Sequence, residues 1–476
     1  MDSAGVAPPP DAERELSLED LRMVQHAIDQ GLRDVNDWTG FSIIDQFQTS
    51  ALRYQLYEIG YSLGAYQGVY APNFHGYLSQ AHRNTIEKSI TKKVMGFWKW
   101  EALWGKFTTH TDPVKEDNIM VTGFLLLCIM LYTANTGDTR YTEKGSLNFQ
   151  ISDGDEHPYD LHSMDESLVR QWKASEYCLF PCEPNWIYTP CNFQGITGQV
   201  IYDRFFGKEL ASQFKDKFEV ALNRDFTEPD GSILPIRSEL TGFTIPGLCG
   251  ALTDAFNAVL CRGYLNHIAR RMWAIFRQES VRIDEKTGEV TFVGLVGADQ
   301  IDTGSYKPSE YNIYSIVSIV AGEYGDEQVR TAVLNTLRKQ VGLETMETGA
   351  TRLTSAQASL AMTLCMVRGS ILRREDWRNL ITKGPSKTTL AGPILDKVPY
   401  PGVLVAKARS HTSEDLDLVL YPSAAEGTFS LGIKALVPGR QYSISGQKTE
   451  VADSDGKLTV DVPVKGRTQI LISPVV

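Results

Sequence analysis

The amino-acid sequence predicts a mainly α protein: an (α/α)6 barrel (toroid) of antiparallel helix pairs, with a small C-terminal antiparallel β-sandwich domain. Three observations predict it. Apolar residues recur at helical spacing as far as residue 380, glycines punctuate successive helix pairs, and the texture turns to short alternating runs after Arg378. A chain of 476 residues and 53.0 kDa is long for one core, so a large unit plus a smaller one is the expected division.

In chain order, "MDSAGVAPPPDAERELSLED" (residues 1–20) reads as a disordered Pro-rich lead. Lacking a basic n-region and an apolar h-region, it does not read as a signal peptide. Helices are predicted over 50–64, 118–134, 252–277, 312–321 and 355–368. The most apolar run, "IMVTGFLLLCIMLYTA", is too short for a bilayer span and is expected to form a buried core helix. At Gly137, Gly207 and Gly325 an apolar helix ends, and an amphipathic helix is expected within a few residues. Asp138 or Asp326 then sits near the new N-terminus, where the helix dipole favours an acid.

Short loops make successive helices antiparallel, and stacked αα-hairpins build a solenoid or a closed toroid. The unequal spacing of the three glycines excludes regular tetratricopeptide or armadillo arrays and favours the toroid, over residues 21–380. Residues 381–402, with prolines at 385, 393, 399 and 401, read as a linker. Over 403–476, runs such as "VLVAKARSH", "LDLVLYP" and "KLTVDVPV" alternate as strands of a sandwich, expected to brace the barrel.

Composition narrows the function. A net charge of −11, a pI near 5.4 and the lack of any Lys/Arg-rich run argue against a nucleic-acid partner. Seven cysteines without a secretion signal point to reduced thiols and a cytoplasmic protein. P-loop, GxGxxG, HExxH and GxSxG signatures are absent, and the eight histidines do not pair at metal spacing. "SDGDEHPYD" reads as a solvated acidic turn, not a metal loop.

The stretch "FPCEPNWIYTPCNFQG" places Cys182 and Cys191 nine residues apart. A disulfide, part of a zinc site, two inert core thiols and an acid/base pair all fit that spacing. The intervening Pro184 and Pro190 favour an extended loop, the kind of segment that carries active-site groups. Trp186, Tyr188 and Phe193 crowd the cysteines, and "GFWKWEALWGKF" adds Trp98, Trp100 and Trp104. Aromatic stripes usually build core, yet an apolar pocket with a few polar groups is also what an apolar ligand needs.

"DPVKEDNIMVTGFLLLCIMLYTANTGDTRY", then "CEPNWIYTPCN", then "VIYDRFFG" resembles the linalool dehydratase/isomerase family over residues 51–368. The resemblance implies a ring-like homo-oligomer of (α/α)6 barrels, an active site where subunits meet, and cofactor-free acid/base chemistry on an allylic alcohol. It implies that Cys182, Cys191 and Tyr54 are catalytic and that Met120 lines the pocket. Phe124 stands where the family has a histidine. The family's Asp and Tyr, lent by a neighbouring subunit, find only Asp34, Asp37 and Asp45 as loosely placed counterparts. Without that histidine, chemistry on linalool itself is not expected, and a larger terpenoid or polyketide suits the more apolar pocket.

The resulting expectation is a cofactor-independent isomerase, lyase or cyclase (a pericyclase included) acting on a hydrophobic terpenoid or polyketide-derived substrate. Cys182 and Cys191 would donate and accept protons. Tyr54 and Tyr188 would orient an oxygen, and Trp104, Met120, Phe124, Trp186 and Asn185 would shape the pocket. No metal and no membrane span are expected. Two alternatives stand beside it: an (α/α)6 glycoside hydrolase using two of Glu101, Asp112, Glu116 and Glu183, and a non-catalytic carrier of an apolar metabolite.

Overall fold

The chain enters through α1 (Leu18–Leu32), whose N-cap Ser17 accepts a hydrogen bond from the Asp20 amide, and continues into α2 (Leu52–Tyr70) and α3 (Gly76–Ser89). The computed structural model describes residues 7, 10, 13–42, 51–244, 250–295, 309–446 and 448–475. Next come the short α4 (Lys92–Met95), α5 (Trp98–Lys106) and α6 (Ile119–Thr136). A hairpin of β1 (Leu147–Ser152) and β2 (Asp155–Tyr159) leads to α7 (Leu161–Ala174).

β3 (Trp186–Tyr188) runs directly into α8 (Thr189–Phe206), followed by α9 (Lys215–Asp225) and β4 (Ile236–Ser238). α10 (Gly250–Leu260), α11 (Asn266–Glu279) and the hairpin β5 (Val281–Ile283) with β6 (Val290–Phe292) come next. α12 (Tyr311–Tyr324), α13 (Glu327–Thr336), the hairpin β7 (Leu343–Thr345) with β8 (Thr351–Leu353), α14 (Leu360–Ile371) and α15 (Asp376–Thr382) complete the helical unit.

Six of these helices order the rest. α2, α6, α8, α10, α12 and α14 touch in that succession, and α14 returns to α2. α1 and α3 pack on α2, α7 on α6, α11 on α10 and α13 on α12. Among the described residues α6 alone is long and apolar enough to cross a membrane, but 94% of it is buried inside the protein. Close approach explains its glycine neighbours. A Cβ on Gly60 of α2 would meet Cys128 Sγ of α6 at 2.7 Å. On the other side of α6, a Cβ on Gly123 would meet the Cα of Gly195 in α8 at 2.8 Å.

Several sequence expectations change here. The helix predicted over 252–277 is two helices, because the chain turns at Cys261–Leu265, where Gly263 sits against the Ile381 side chain. Gly137 does cap α6 in the left-handed conformation, but the β1–β2 hairpin intervenes before α7. Asp138 accepts from the Tyr132 hydroxyl at 2.6 Å and pairs with Arg140 instead of starting a long helix. Gly325 behaves as predicted, with Asp326 N-capping α13 through the Val329 amide.

The C-terminal unit contains α16 (Lys387–Leu390) and β9 (Ile394–Lys397), both inside the span predicted as linker. β9 is a true strand, because it pairs with β12 (Gly427–Lys434). β10 (Val403–Arg409), β11 (Leu416–Pro422), β13 (Gln441–Ile444), β14 (Lys448–Val451) and β16 (Thr468–Pro474) form a sheet of order β10-β11-β16-β13-β14. β15 (Leu458–Val464), β12 and β9 form the other, and every pairing is antiparallel.

β10 is buried along its whole length because its other side meets the helices. Leu16 and Asn73 donate backbone bonds to Ala406 and Ala408, and Arg409 donates to Val69 O at 2.7 Å. The end of the predicted disordered lead is therefore docked: Leu16 is buried, Arg14 pairs with Asp376 and Glu15 with Arg467.

One buried carboxyl sets a pH response. Asp165 of α7 is 1% exposed, and burial, then the nearby Asp203 charge, push it up to about 8 from 3.8. A raised carboxyl stabilises the fold fully only below the unfolded value, so stability falls as the pH climbs from about 4 to about 8. Asp165→Asn should flatten urea midpoints over that range, where the native protein loses on the order of 1 kcal/mol per pH unit. Equal slopes for the two proteins would refute this.

Candidate functional site

The stretch from Cys182 to Cys191 is a turn, a short strand and the first turn of a helix. Cys182 donates its amide to Trp186 O and Trp186 donates to Glu183 O, both at 2.9 Å. Asn185 takes the left-handed conformation that closes this turn, with φ of 73°. β3 pairs with β4 and leads into α8, where Pro190 occupies the first turn and its missing N–H leaves no bond unmade. Cys191 therefore lies on a helix and not on the extended loop that the prolines predicted.

The turn returns Cys182 to Cys191. Cys182 Sγ donates to Cys191 Sγ at 3.3 Å, and both thiols are free and buried. From α2, Tyr54 donates its hydroxyl to Met120 Sδ at 3.4 Å, and Arg53 Nη2 approaches the same sulfur at 3.6 Å. Phe124, one turn beyond Met120 on α6, meets the Tyr54 ring edge-on at 5.6 Å. Tyr188 donates to Glu183 Oε2 at 3.3 Å. Trp186 and Tyr188, two apart on β3, share one side of the strand and are partly buried.

Burial is the first cause of every resolved pKa shift in this cluster. It pushes the Cys182 thiol well up, helped by the Cys191 contact and the Glu183 charge and opposed by Arg53. Burial raises Tyr54 likewise, with Arg53 opposing and Cys182, Cys191 and Glu183 adding to the rise. Glu183 is raised by burial against the pull of Arg53 and the Tyr188 hydrogen bond. Glu101 of α5 is pushed up to about 7 by burial and then by the Glu183 charge. Cys182 and Tyr54 thus keep their protons near neutrality, and Glu101 exchanges one there.

Arg53, Glu183 and Glu101 are the members that mattered more than their sequence context suggested. Arg53 is 1% exposed, lies 4.0 Å from the Phe97 ring centroid and acts electrostatically on Tyr54, Cys182, Glu183 and Glu101. Its signal was its place beside Tyr54 in an apolar helix, as that of Glu183 was its place beside Cys182.

Other predicted residues lie elsewhere. Trp104 is a correction: it is 71% exposed, because α5 turns Trp98 and Ala102 inward and Trp100 and Trp104 outward. Asn185 braces the turn by donating to Gly105 O at 2.9 Å. Asp112 accepts from the Tyr159 hydroxyl at 2.6 Å and Glu116 lies by Lys106, so neither joins Glu101 and Glu183. Asp34 and Asp37 bond within the turn after α1, and Asp45 lies outside the described residues. Among the described residues no three His, Cys, Asp or Glu side chains are grouped to hold a metal ion.

A profile of the linalool dehydratase/isomerase family matches residues 53–359. Solved structures of similar fold include an unsaturated glucuronyl hydrolase specific for heparin, at 10% identity, 77% of this chain, 99% of that one and a TM-score of 0.45. The unsaturated glucuronyl hydrolase of Bacillus sp. GL1 matches at 11% identity, 77% and 96% coverage and a TM-score of 0.44. An inactive α-1,6-mannanase of Salegentibacter sp. HEL1_6, in complex with α-1,6-mannotriose, gives 11%, 76%, 99% and 0.42. These neighbours are of the (α/α)6 glycoside hydrolase type.

Because Glu101 shares α5 with three tryptophans, its titration is observable. Intrinsic fluorescence should show an inflection near pH 7 that Glu101→Gln removes. An inflection that survives the substitution belongs to another group.

Proposed function

The chain belongs to the linalool dehydratase/isomerase family, and from that premise we propose that it is an acid–base lyase or isomerase of a hydrophobic terpenoid or polyketide-derived alcohol. The observation that carries this is the Cys182–Cys191 thiol pair at 3.3 Å, held beside Tyr54, Tyr188 and Glu183. In this reading the six helices in contact succession form a closed (α/α)6 barrel, and the substrate's apolar body lies inside it against Phe124 and Trp186.

The chemistry follows from which groups hold protons. Cys182 remains a thiol and donates its proton to the departing oxygen, and Arg53, the charge that opposes the upward push on this thiol, supports the sulfur left behind. The C–O bond breaks with its electron pair leaving on the water. Glu183 in its carboxylate form removes a proton from the adjacent carbon, the C–H pair becomes the new double bond, and return of that proton to Cys182 closes the cycle. Tyr54 and Tyr188 hold the oxygen in place, and preorganisation of a flexible chain adds several kcal/mol of barrier lowering. Cyclisation of a suitable polyene in the same pocket would draw on that preorganisation alone.

Phe124 supplies no proton where the family has histidine, so Phe124→His should raise turnover of small tertiary allylic alcohols. Cys182→Ala and Cys191→Ala should each lower turnover of a prenyl alcohol, followed by mass spectrometry, about a hundredfold or more. Intact turnover in both cysteine variants would make the thiols structural and overturn the reading.

A second reading has one observation in its favour: the Glu183 charge raises the Glu101 carboxyl, as one of a pair of glycosidase carboxylates raises the other. Release of dye from a chromogenic glycoside, lost in Glu183→Gln, would favour it over alcohol chemistry.

We also propose self-association. Trp104, Phe107, Leu240 and Phe243 are 71, 86, 74 and 59% exposed, and Asn185 links their two segments by bonding Gly105 and Glu239. A second copy covering this patch fits the ring-like assembly that the family resemblance implies. Light scattering should give a mass above the 53.0 kDa monomer, and Trp104→Ser with Phe107→Ser should lower it. A monomeric native protein would overturn the proposal.

A further inference from the structure

A second polar cluster lies along α2 from the cysteine pair. Tyr54, Glu58 and Tyr61 fall at helical spacing on one face. That face is turned toward α6, α8 and α14. Tyr54 feels the charge of Cys191 in α8, Tyr61 lies within hydrogen-bonding reach of Gln194 in α8, and Glu58 acts on Cys128 in α6. From α14, Arg368 pairs with the Glu58 carboxylate, and Cys365 Sγ lies 3.6 Å from Glu58 Oε2 and 3.8 Å from Arg368 Nη2. The Arg368 guanidinium carbon stands 5.6 Å from the Tyr61 ring centroid.

Two features mark this cluster as a binding place. An ion pair buried among apolar helices gains little stability over apolar packing, because desolvation consumes most of its attraction. Here the Arg368 side chain is only 5% exposed and its Nε has no hydrogen-bond partner, while the Glu58 side chain keeps 13% exposure. A buried donor without a partner beside a carboxylate that is not sealed is an incomplete hydrogen-bonding site.

We propose that Glu58 and Arg368, with Cys365 beside them, bind a second oxygen of the substrate, remote from the carbons that react at Cys182 and Cys191. This rests on the alcohol lyase/isomerase reading above and adds to it the class of substrate: an apolar chain oxygenated at both ends. A hydroxyl suits the pair, because it donates to the Glu58 carboxylate and accepts from Arg368 Nε. A carboxylate does not, because Glu58 repels it. Four residues of α2 place the two polar sites about 6 Å apart along the helix axis.

The test compares a terminally hydroxylated prenyl alcohol with the same alcohol lacking that second hydroxyl, by calorimetry. The native protein should bind the diol at least tenfold more tightly, and the charge-removing pair Glu58→Gln with Arg368→Met should abolish the preference while retaining the mono-alcohol. A diol preference unchanged in that variant overturns the second site but leaves the lyase/isomerase reading intact. Failure of the native protein to bind either alcohol overturns both. Should the variant not fold, the native protein still decides. A diol carrying a diazirine beside its second hydroxyl should label Leu52–Tyr70 or Leu360–Ile371, whereas label confined to the Cys182 to Cys191 stretch overturns the proposal.

Discussion

Two helices approach only as closely as their side chains allow, and where α6 crosses α8 both present glycine. Gly123 against Gly195 brings the two backbones together, and Gly60 lets α2 close on the other side of α6. Cys191 is one turn before Gly195, Phe124 is next to Gly123, and Met120 is one turn before Phe124. The crossing therefore determines which side chains of three helices share one space. A larger residue at either glycine would spread the helices and separate Cys191 from Tyr54, whatever happened to the chemistry of either.

Within that space the charges are unequal. Among the described residues Arg53 is the cation that acts on Glu183, Glu101, Tyr54 and Cys182, and burial outweighs it at each of these groups. The result is a site that holds on to protons near neutral pH, with thiol and phenol both in their neutral forms. Apolar surroundings are the reason, and they are also what an apolar substrate needs, so one property serves recognition and acidity together.

Sequence periodicity revealed the long helices, because burial on one face enforces spacing, and Gly325 with Asp326 gave both an end and a beginning. Gly263 was less legible: it interrupts a run whose apolar spacing continues on both sides. Trp104 misled for a related reason, since an aromatic stretch gives no sign of which face of a short helix turns outward. Pro190 pointed to extended chain, although a first helical turn accepts proline equally well. Arg53 escaped notice, and Glu183 stood out only as one of four carboxylates, because charged residues are ordinarily solvated and only tertiary contact shows otherwise.

The seam between α2 and α14 has a further consequence, for the order in which the molecule assembles. Most helix neighbours in the succession are close in sequence, but Ser62 to Leu364 and Tyr70 to Ile371 join residues 302 and 301 positions apart. Contacts of such separation carry the largest loop-closure cost and come late in folding. Glu58 and Arg368 lie on that seam. A nascent or partly folded chain can thus bring Cys182 to Cys191 by local structure while its second polar cluster is still in two pieces, and ligand-binding specificity matures only when α2 and α14 meet.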